Sequence, residues 1–362
     1  MQEISKKILS ELLSKKLGEH LDVTHIEKVG SGYHSDGYRV DTKQGKKFFL
    51  KKVKSDDLGF EYPERKIASL LTSHNMSART NIATKPIGVM ISSHDENILL
   101  PEIDDSTQIF HIQEFQEEHQ SYWNSLLSKR GKTMIDAEDK KEIEDVVDIL
   151  VAIHKQPLPF EDNEKKKRVY RDSLKSVITH PELTFRLLQD FPHDHPLLPK
   201  SRHKEYLGLM VDVMYHWHDK HDRLTLLHGD FWGANLFRRK DGSSYIVDFS
   251  RIPFGEPGID VGWWLCQYLW YYHEDQNEYF KQLGEYFLET YITKTGDTDI
   301  RDAVLTVLGL SGIIFTSPAF FPNLNIDIGR VFLQNVESIL SEKTFVWKEL
   351  TSNSTNKKSK KN

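Results

Sequence analysis

The chain has 362 residues, 38% of them hydrophobic and 28% charged, with a formal net charge of −6 and a pI near 6.3. This is the ordinary balance of a soluble globular protein with one large or two ordinary domains, and it excludes a bulk nucleic-acid binder, which would carry a basic excess. The single cysteine, Cys266, cannot form an internal bridge, so the fold must rest on its apolar core and suits a reducing, cytoplasmic setting.

Residues 1–21, "MQEISKKILSELLSKKLGEHL", interleave Ile4, Ile8, Leu12 and Leu13 with Lys and Glu. The spacing predicts an amphipathic helix rather than a secretory leader, whose apolar stretch would be continuous. Residues 22–100 are rich in strand signals. "VTHIEKV" leads through the glycine-bearing "GSGYHSDG" to "YRV", "DTKQGKK" reads as a hairpin turn, and "FFLKKV" continues as a strand. "EYPERKIASLLTSH" predicts a helix with Pro63 tolerated in its first turn. "KPIGVMI" and "NILL" add short strands, giving an antiparallel sheet with one helix laid on it.

From about residue 106 the pattern turns helical. "DAEDKKEIEDVVDILVAIHKQ" places Ile143, Val146, Val147, Leu150 and Val151 on one face. The charge run "EDNEKKKRVYR" at 161–171 reads as a solvated loop or a helix start. Long helices resume after Asp260 and run to about 350. The longest apolar stretch, from Ala303, is interrupted by Thr306, Ser311, Thr316 and Pro318, which predicts a buried helix and no membrane partner. The polar, basic tail 351–362 lacks apolar anchors and is expected to be disordered. The expected class is therefore α+β, with a small antiparallel-sheet lobe at 22–105, a boundary near "PEIDD" at 101–105, and a larger helical lobe at 106–350.

One stretch stands apart: "LLHGDFWGANLF" at 226–237, followed by "RRKDGSSYIVDF". Asp241-Gly242 is a hairpin signal between two short strands. A two-residue turn there would pair residues whose numbers sum to 483 and set Asn235 opposite Asp248, whereas an odd-length loop would break the pairing. A carboxylate and an amide oxygen suit Mg²⁺, which keeps waters and takes phosphate oxygens for its other sites. Asp230 is then free to orient a nucleophilic hydroxyl.

"HGDFWGAN" followed by "IVDFS" resembles the catalytic core of the aminoglycoside phosphotransferase and choline kinase family, small-molecule relatives of the protein kinases. The related kinase pattern is H-R-D-x-x-x-x-N, then D-F-G. Here Gly229 replaces the Arg and Ser250 the final Gly. The resemblance implies a bilobal kinase-like fold binding ATP and Mg²⁺ between its lobes. It implies Asp230 as the catalytic base, Asn235 and Asp248 as metal ligands, and His228 as a brace. "VGSGYHSDGYRV" is similar to the family's nucleotide loop, which would use Gly30, Ser31, Gly32 and Gly37; a plain hairpin is an equal alternative. "FFLKK" resembles the strand bearing the phosphate-binding lysine. Lys51 is the choice, because Lys52 points to the other face. Glu64 is expected to pair with Lys51, with Glu61 as a competitor. "LLPEI" resembles the hinge, where backbone near Leu100, Glu102 and Ile103 would hold adenine. "LVAIHKQPLP" is similar to a family helix ending at a structural histidine, His154. The resemblance covers roughly 23–270, patchily between 101 and 225.

The expected activity is ATP-dependent transfer to a hydroxyl of a small molecule, an aminoglycoside or similar amino or sugar compound. Choline-like or sugar metabolite kinases come next, and a nucleotide-binding pseudokinase scaffold is the reading of another class. Only eleven residues separate Asp248 from Asp260, too few for a long activation segment, so the acceptor is small. His216, His218, His221 and His228 lack zinc spacing and read as helix-surface histidines. "GWWLCQYLWYY" at 262–272 reads as a buried helix rather than a stacking platform, with Trp263 or Tyr268 as candidates to reach the acceptor. Asp260 reads as a brace or helix cap.

Overall fold

The apolar spacing at the N-terminus does form a helix, with a narrower buried face than the sequence suggested. In the computed structural model, which describes residues 5–31, 35–54, 63–92, 108–116, 120–179, 188, 191–249, 251–318 and 320–347, the helix is Lys6–Leu17 (α1). Ser5 caps it by accepting from the Ile8 N–H, and Gly18 ends it at φ +70°. Leu9 and Leu13, one turn apart, are buried, while Ile8 and Leu12 are exposed. Ile4 lies outside the described residues.

A sheet follows, built from Val23–Ser31 (β1), Ser35–Thr42 (β2), Lys47–Val53 (β3), Pro86–Ser92 (β4) and Gln108–Glu114 (β5), with the helix Pro63–Ser77 (α2) between β3 and β4. The order is β1-β2-β3-β5-β4 and every neighbouring pair is antiparallel. Period-two alternation sorts the side chains. Phe48 and Leu50 of β3 and Phe110 and Ile112 of β5 join Leu9, Leu13, Leu21 and Val40 in one core. Phe49, Lys51, His111 and Gln113 are left on the opposite face, where β3 and β5 pair Phe49 with Gln113 and Lys51 with His111. The strand beside β3 is thus "QIFHIQE", and the sheet runs past the boundary expected at 101–105. "NILL" and "PEIDD" lie outside the described residues.

Among the described residues, and short 3-10 turns aside, the remaining elements are Gln120–Ser121 (β6), Tyr122–Ser128 (α3), Ala137–His154 (α4), Asn163–Thr179 (α5), His203–Trp217 (α6), Thr225–Leu226 (β7), Leu236–Arg238 (β8), Ser244–Ile246 (β9), Phe254–Gly255 (β10), Gly258–Glu274 (α7), Glu278–Thr295 (α8), Ile300–Ala303 (α9), Leu305–Thr316 (α10) and Ile326–Glu342 (α11). Contacts gather the chain into two compact units, Met1–Leu126 with Leu226–Phe254, and Leu127–Thr225 with Gly255–Asn362.

The second unit is helical. A capping box between Asp136 and Asp139 starts α4, which buries Ile143, Val146, Val147 and Leu150. The charge run at 161–171 turns out to be the opening of α5, whose buried face begins at Tyr170. The aromatic run lies in α7, buried from Gly258 to His273. Gly258 and Gly262 let that helix lie against the backbone of Ala303 and Val304, where a side chain would collide. The apolar stretch from Ala303 is buried in α9 and α10. No helix among the described residues is long and apolar enough to cross a membrane. The tail 351–362 lies outside the described residues.

Candidate active site

The segment 226–254 hangs on a hairpin whose register differs from the expected one. β8 and β9 pair Leu236 with Ile246, Phe237 with Tyr245 and Arg238 with Ser244, so partner numbers sum to 482. Lys240, Asp241 and Gly242 form a three-residue loop. Arg239 N–H donates to Ser243 O (2.7 Å), Gly242 sits at φ +86°, and the Asp241 carboxylate accepts from Ser243 N–H (2.9 Å). Asn235 therefore faces Val247, whose N–H donates to Asn235 O (3.0 Å), and not Asp248. Asp248 comes one residue later, at φ +70°, a left-handed turn that a short polar residue tolerates. Its carboxylate meets Lys51 Nζ at 2.8 Å.

Asp230 is fixed from several sides. Asn235 Nδ2 donates to its carbonyl (2.9 Å) and its carboxylate (3.3 Å). Arg251 Nε lies 3.5 Å from Asp230 Oδ2 as an ion pair. His228 is buried and bridges the two motifs: Nε2–H donates to Val247 O (2.8 Å), and Nδ1 accepts from Asp230 N–H (3.2 Å). Those partners fix the neutral Nε2–H tautomer, because a carbonyl only accepts and an amide N–H only donates. Its ring packs on Phe249 and Phe231. Gly229, where the kinase pattern has Arg, sits at φ +82°, and a Cβ there would lie 2.5 Å from Ile252 N. No side chain fits that position.

The cavity beside this segment encloses about 290 Å³. Phe49, Lys51, His111 and Gln113 contribute from the free face of the sheet, Glu114, Phe115 and Gln116 from the chain leaving β5, and Phe237, Tyr245, Val247 and Asp248 from the hairpin. Ser35, Ser73 and Thr84 complete it. The hairpin is tied to the sheet unit by Ile246, whose N–H donates to Ile82 O (3.1 Å) and whose carbonyl accepts from Thr84 N–H (3.3 Å).

Other residues singled out from the sequence lie elsewhere. Gly30 pairs with Gly37 across the β1–β2 ladder, and the Ser31 hydroxyl is bound to Asp36 (2.7 Å); Ser35, not these, reaches the cavity. The Phe49 ring covers Gly37, where a Cβ would lie 2.7 Å from it. Lys52 sits over the Phe110 ring on the core side. Glu64 is exposed in the first turn of α2 and makes no ion pair with Lys51, which has Asp248 instead. Gly32, Glu61, Leu100, Glu102, Ile103 and Ser250 lie outside the described residues.

In the helical unit, Asp260 is fully buried in the first turn of α7. His154 joins Asp260 (3.3 Å) to the Tyr291 hydroxyl (2.8 Å). Trp263 and Tyr268 are buried. His216 is exposed. Among the described residues no three His, Cys, Asp or Glu side chains gather as a metal site. The sequence reading missed Glu114–Gln116, His111 and Arg251. Only the alternation of "IFHIQE" at 109–114 signalled any of these, His111 and Glu114.

A model of the family described as "Phosphotransferase enzyme family" matches residues 25–296. The chain belongs to this family. It is accordingly a kinase-type phosphotransferase acting on a small molecule, and solved structures show the kinase-like fold. A putative fructosamine-3-kinase from Haemophilus somnus 129PT superposes with a TM-score of 0.53 at 11% identity, over 91% of this chain and 96% of the other. The amicoumacin kinase hAmiN, in complex with AMP-PNP, Ca²⁺ and Ami, gives 0.51 at 13%, over 94% and 97%. A thermostable variant of aminoglycoside phosphotransferase APH(4)-Ia, in a ternary complex with ADP and hygromycin B, gives 0.51 at 14%, over 92% and 98%. A comparison of the sequence with curated proteins finds no match.

Proposed function

We propose that this phosphotransferase transfers the γ-phosphate of ATP to a hydroxyl of an aminoglycoside or similar amino- or sugar-containing compound. The observation that carries the reading is the Lys51–Asp248 ion pair on the wall of a cavity edged by the chain leaving β5. The aromatic walls, Phe49 on one side and Phe237 with Tyr245 on the other, suit a purine. In this reading the backbone of residues 114–116, rather than 100–103, holds the base, and the nucleotide-binding lobe ends after residue 116.

Lys51 meets phosphate charge as a compact cation. Asp230 orients the acceptor hydroxyl and takes its proton, with Asn235 and His228 holding it in place and Arg251 balancing its charge. The Asp248 carboxylate and the amide oxygen of Asn235 are hard oxygen donors that would hold Mg²⁺, which would supply charge neutralisation to the phosphates. Positioning and electrostatics then provide most of the rate. The ligands of hAmiN, AMP-PNP with Ca²⁺ and Ami, and of APH(4)-Ia, ADP with hygromycin B, support this choice of acceptor class, and the net charge of −6 is compatible with a cationic one.

The test is ADP release across aminoglycosides, choline analogues, sugars and nucleosides, with Asp230→Asn as the blank. An aminoglycoside or related amine should stimulate release in the parent and not in the variant. Stimulation by choline analogues alone would move the reading to a choline-type kinase. AMP-PNP binding with no stimulation by any compound would favour a scaffold.

A further inference from the structure

Behind Lys51 the cavity wall carries a group that the activity so far leaves unused. His111 stands directly across the β3–β5 ladder from Lys51, on the same face of the sheet, at the separation of a cross-strand pair. It is 1% exposed, and neither ring nitrogen has a hydrogen-bond partner. Its surroundings are similar: His74 of α2 meets the His111 ring edge-on at 5.6 Å with its Nδ1 unpartnered, and the hydroxyl of Thr84, which also lines the cavity, is unpartnered too. A buried polar atom without a partner costs stability that an apolar side chain of the same size would not. Burial, with Lys51 and His74 nearby, holds the imidazole pKa down at about 3, so the ring is neutral and keeps a lone pair.

Lys51 itself is committed to Asp248 (2.8 Å). In the function proposed above, Asp248 is a metal ligand, so the ammonium must change partners when the nucleotide arrives. Glu64 is exposed and makes no pair with it. We infer that His111 is a positioning residue of the nucleotide site, its imidazole accepting a hydrogen bond from Lys51 Nζ once the metal claims Asp248. A neutral acceptor aims the ammonium without cancelling its charge, so the full charge stays available to the phosphates. A carboxylate in the same place would compete with them. This inference rests on the phosphotransferase reading of the cavity.

The test is calorimetric binding of Mg²⁺–AMP-PNP and, by competition, of adenosine to the full chain. It uses the parent, His111→Leu, His111→Gln, Lys51→Ala and the double variant Lys51→Ala/His111→Leu. Losing a hydrogen bond to a charged group should weaken AMP-PNP by about tenfold in His111→Leu. Adenosine, which has no phosphates for Lys51 to hold, should bind as in the parent. His111→Gln, which keeps an acceptor, should stay within about twofold of the parent, and His111→Leu should add no more than about twofold once Lys51 is gone. His111→Phe is a second apolar replacement, so a folding defect in one variant leaves the test standing. Unchanged AMP-PNP affinity in the apolar variants overturns the inference. So does an equal loss for adenosine, or the same tenfold loss in the Lys51→Ala background, since each marks a merely structural role. If the parent itself does not bind AMP-PNP, the phosphotransferase reading of the cavity falls first and the inference with it.

Discussion

Asp230 and Asp248 are acidic residues of one chain segment with different partners, and the function proposed above gives them different work. Asp230 is held by Asn235 and Arg251, while Asp248 faces Lys51. Asp230→Asn should therefore leave Mg²⁺–nucleotide affinity close to the parent's while single-turnover transfer drops by roughly 10²–10⁴-fold, the usual worth of a positioned acid–base group. Asp248→Asn removes charge from both Lys51 and the proposed metal shell. Affinity and rate should fall together, and excess Mg²⁺ should restore part of the loss. Calorimetry across a Mg²⁺ titration beside single-turnover rates separates the two, and the roles are wrong if Asp230→Asn loses the nucleotide while Asp248→Asn keeps it. Both carboxylates stood out in the sequence because they sit in short motifs at fixed offsets. Arg251 did not, because an arginine three residues past an aspartate has no meaning until the loop folds it back. His111 is set against Lys51 only by strand pairing across some sixty residues of chain.

At the scale of elements, two sequence expectations met different physics. Asp-Gly signals two-residue and three-residue hairpin loops alike. The left-handed Gly242 selects the longer one and moves Asn235 onto Val247. β5 escaped notice because its cavity face is polar: His111 and Gln113 interrupt the apolar run of Ile109, Phe110 and Ile112. By contrast, α4 and the aromatic α7 were readable, since a buried helix announces itself in its spacing or its bulk. Glycine offers a direct test of how local geometry is shared out. Gly242 and Gly229 both lie at positive φ, but a Cβ at Gly242 meets open space, whereas one at Gly229 strikes the Ile252 backbone. Gly242→Ala should cost about 1–2 kcal/mol, the left-handed penalty alone, with transfer unchanged. Gly229→Ala should cost more than about 3 kcal/mol and lower transfer as well, because it displaces the residue before Asp230. Urea denaturation with single-turnover rates would expose equal costs at the two sites, which the packing forbids.

On the scale of the molecule, the compact units are not continuous in sequence: Leu226–Phe254 groups with the sheet, and the chain on either side of it with the helices. A boundary sought as one break in composition cannot reveal that arrangement. Nor could the sequence show that Arg223 would be held by a buried Glu256 and by Asp297, with the Tyr170 hydroxyl also on Glu256. Those partners are scattered along the chain and joined only by packing. Burial of neutral histidines gives the whole fold an acid limb that can be measured. Burial lowers the pKa of His111 to about 3 and of His273 to about 4, and lowers those of His74 and His195 as well. Each takes up a proton in the unfolded chain near pH 6.5 but resists it when folded. The unfolded state therefore binds more protons below that pH, and stability falls as pH drops, by at most about 1.4 kcal/mol per pH unit for each fully buried histidine and by less for the half-exposed His74 and His195. Between pH 6.5 and 5 most carboxylates are still ionised, so this window belongs to the histidines. His273 is fully buried, accepts from Asn335 Nδ2 (2.9 Å) and leaves Nδ1 without a partner. His273→Phe should lower stability at pH 7, because Asn335 loses its acceptor, and should flatten the decline between pH 6.5 and 5. Urea denaturation midpoints at half-unit pH steps measure both effects, and an acid limb as steep in the variant as in the parent would show that His273 is not buried neutral.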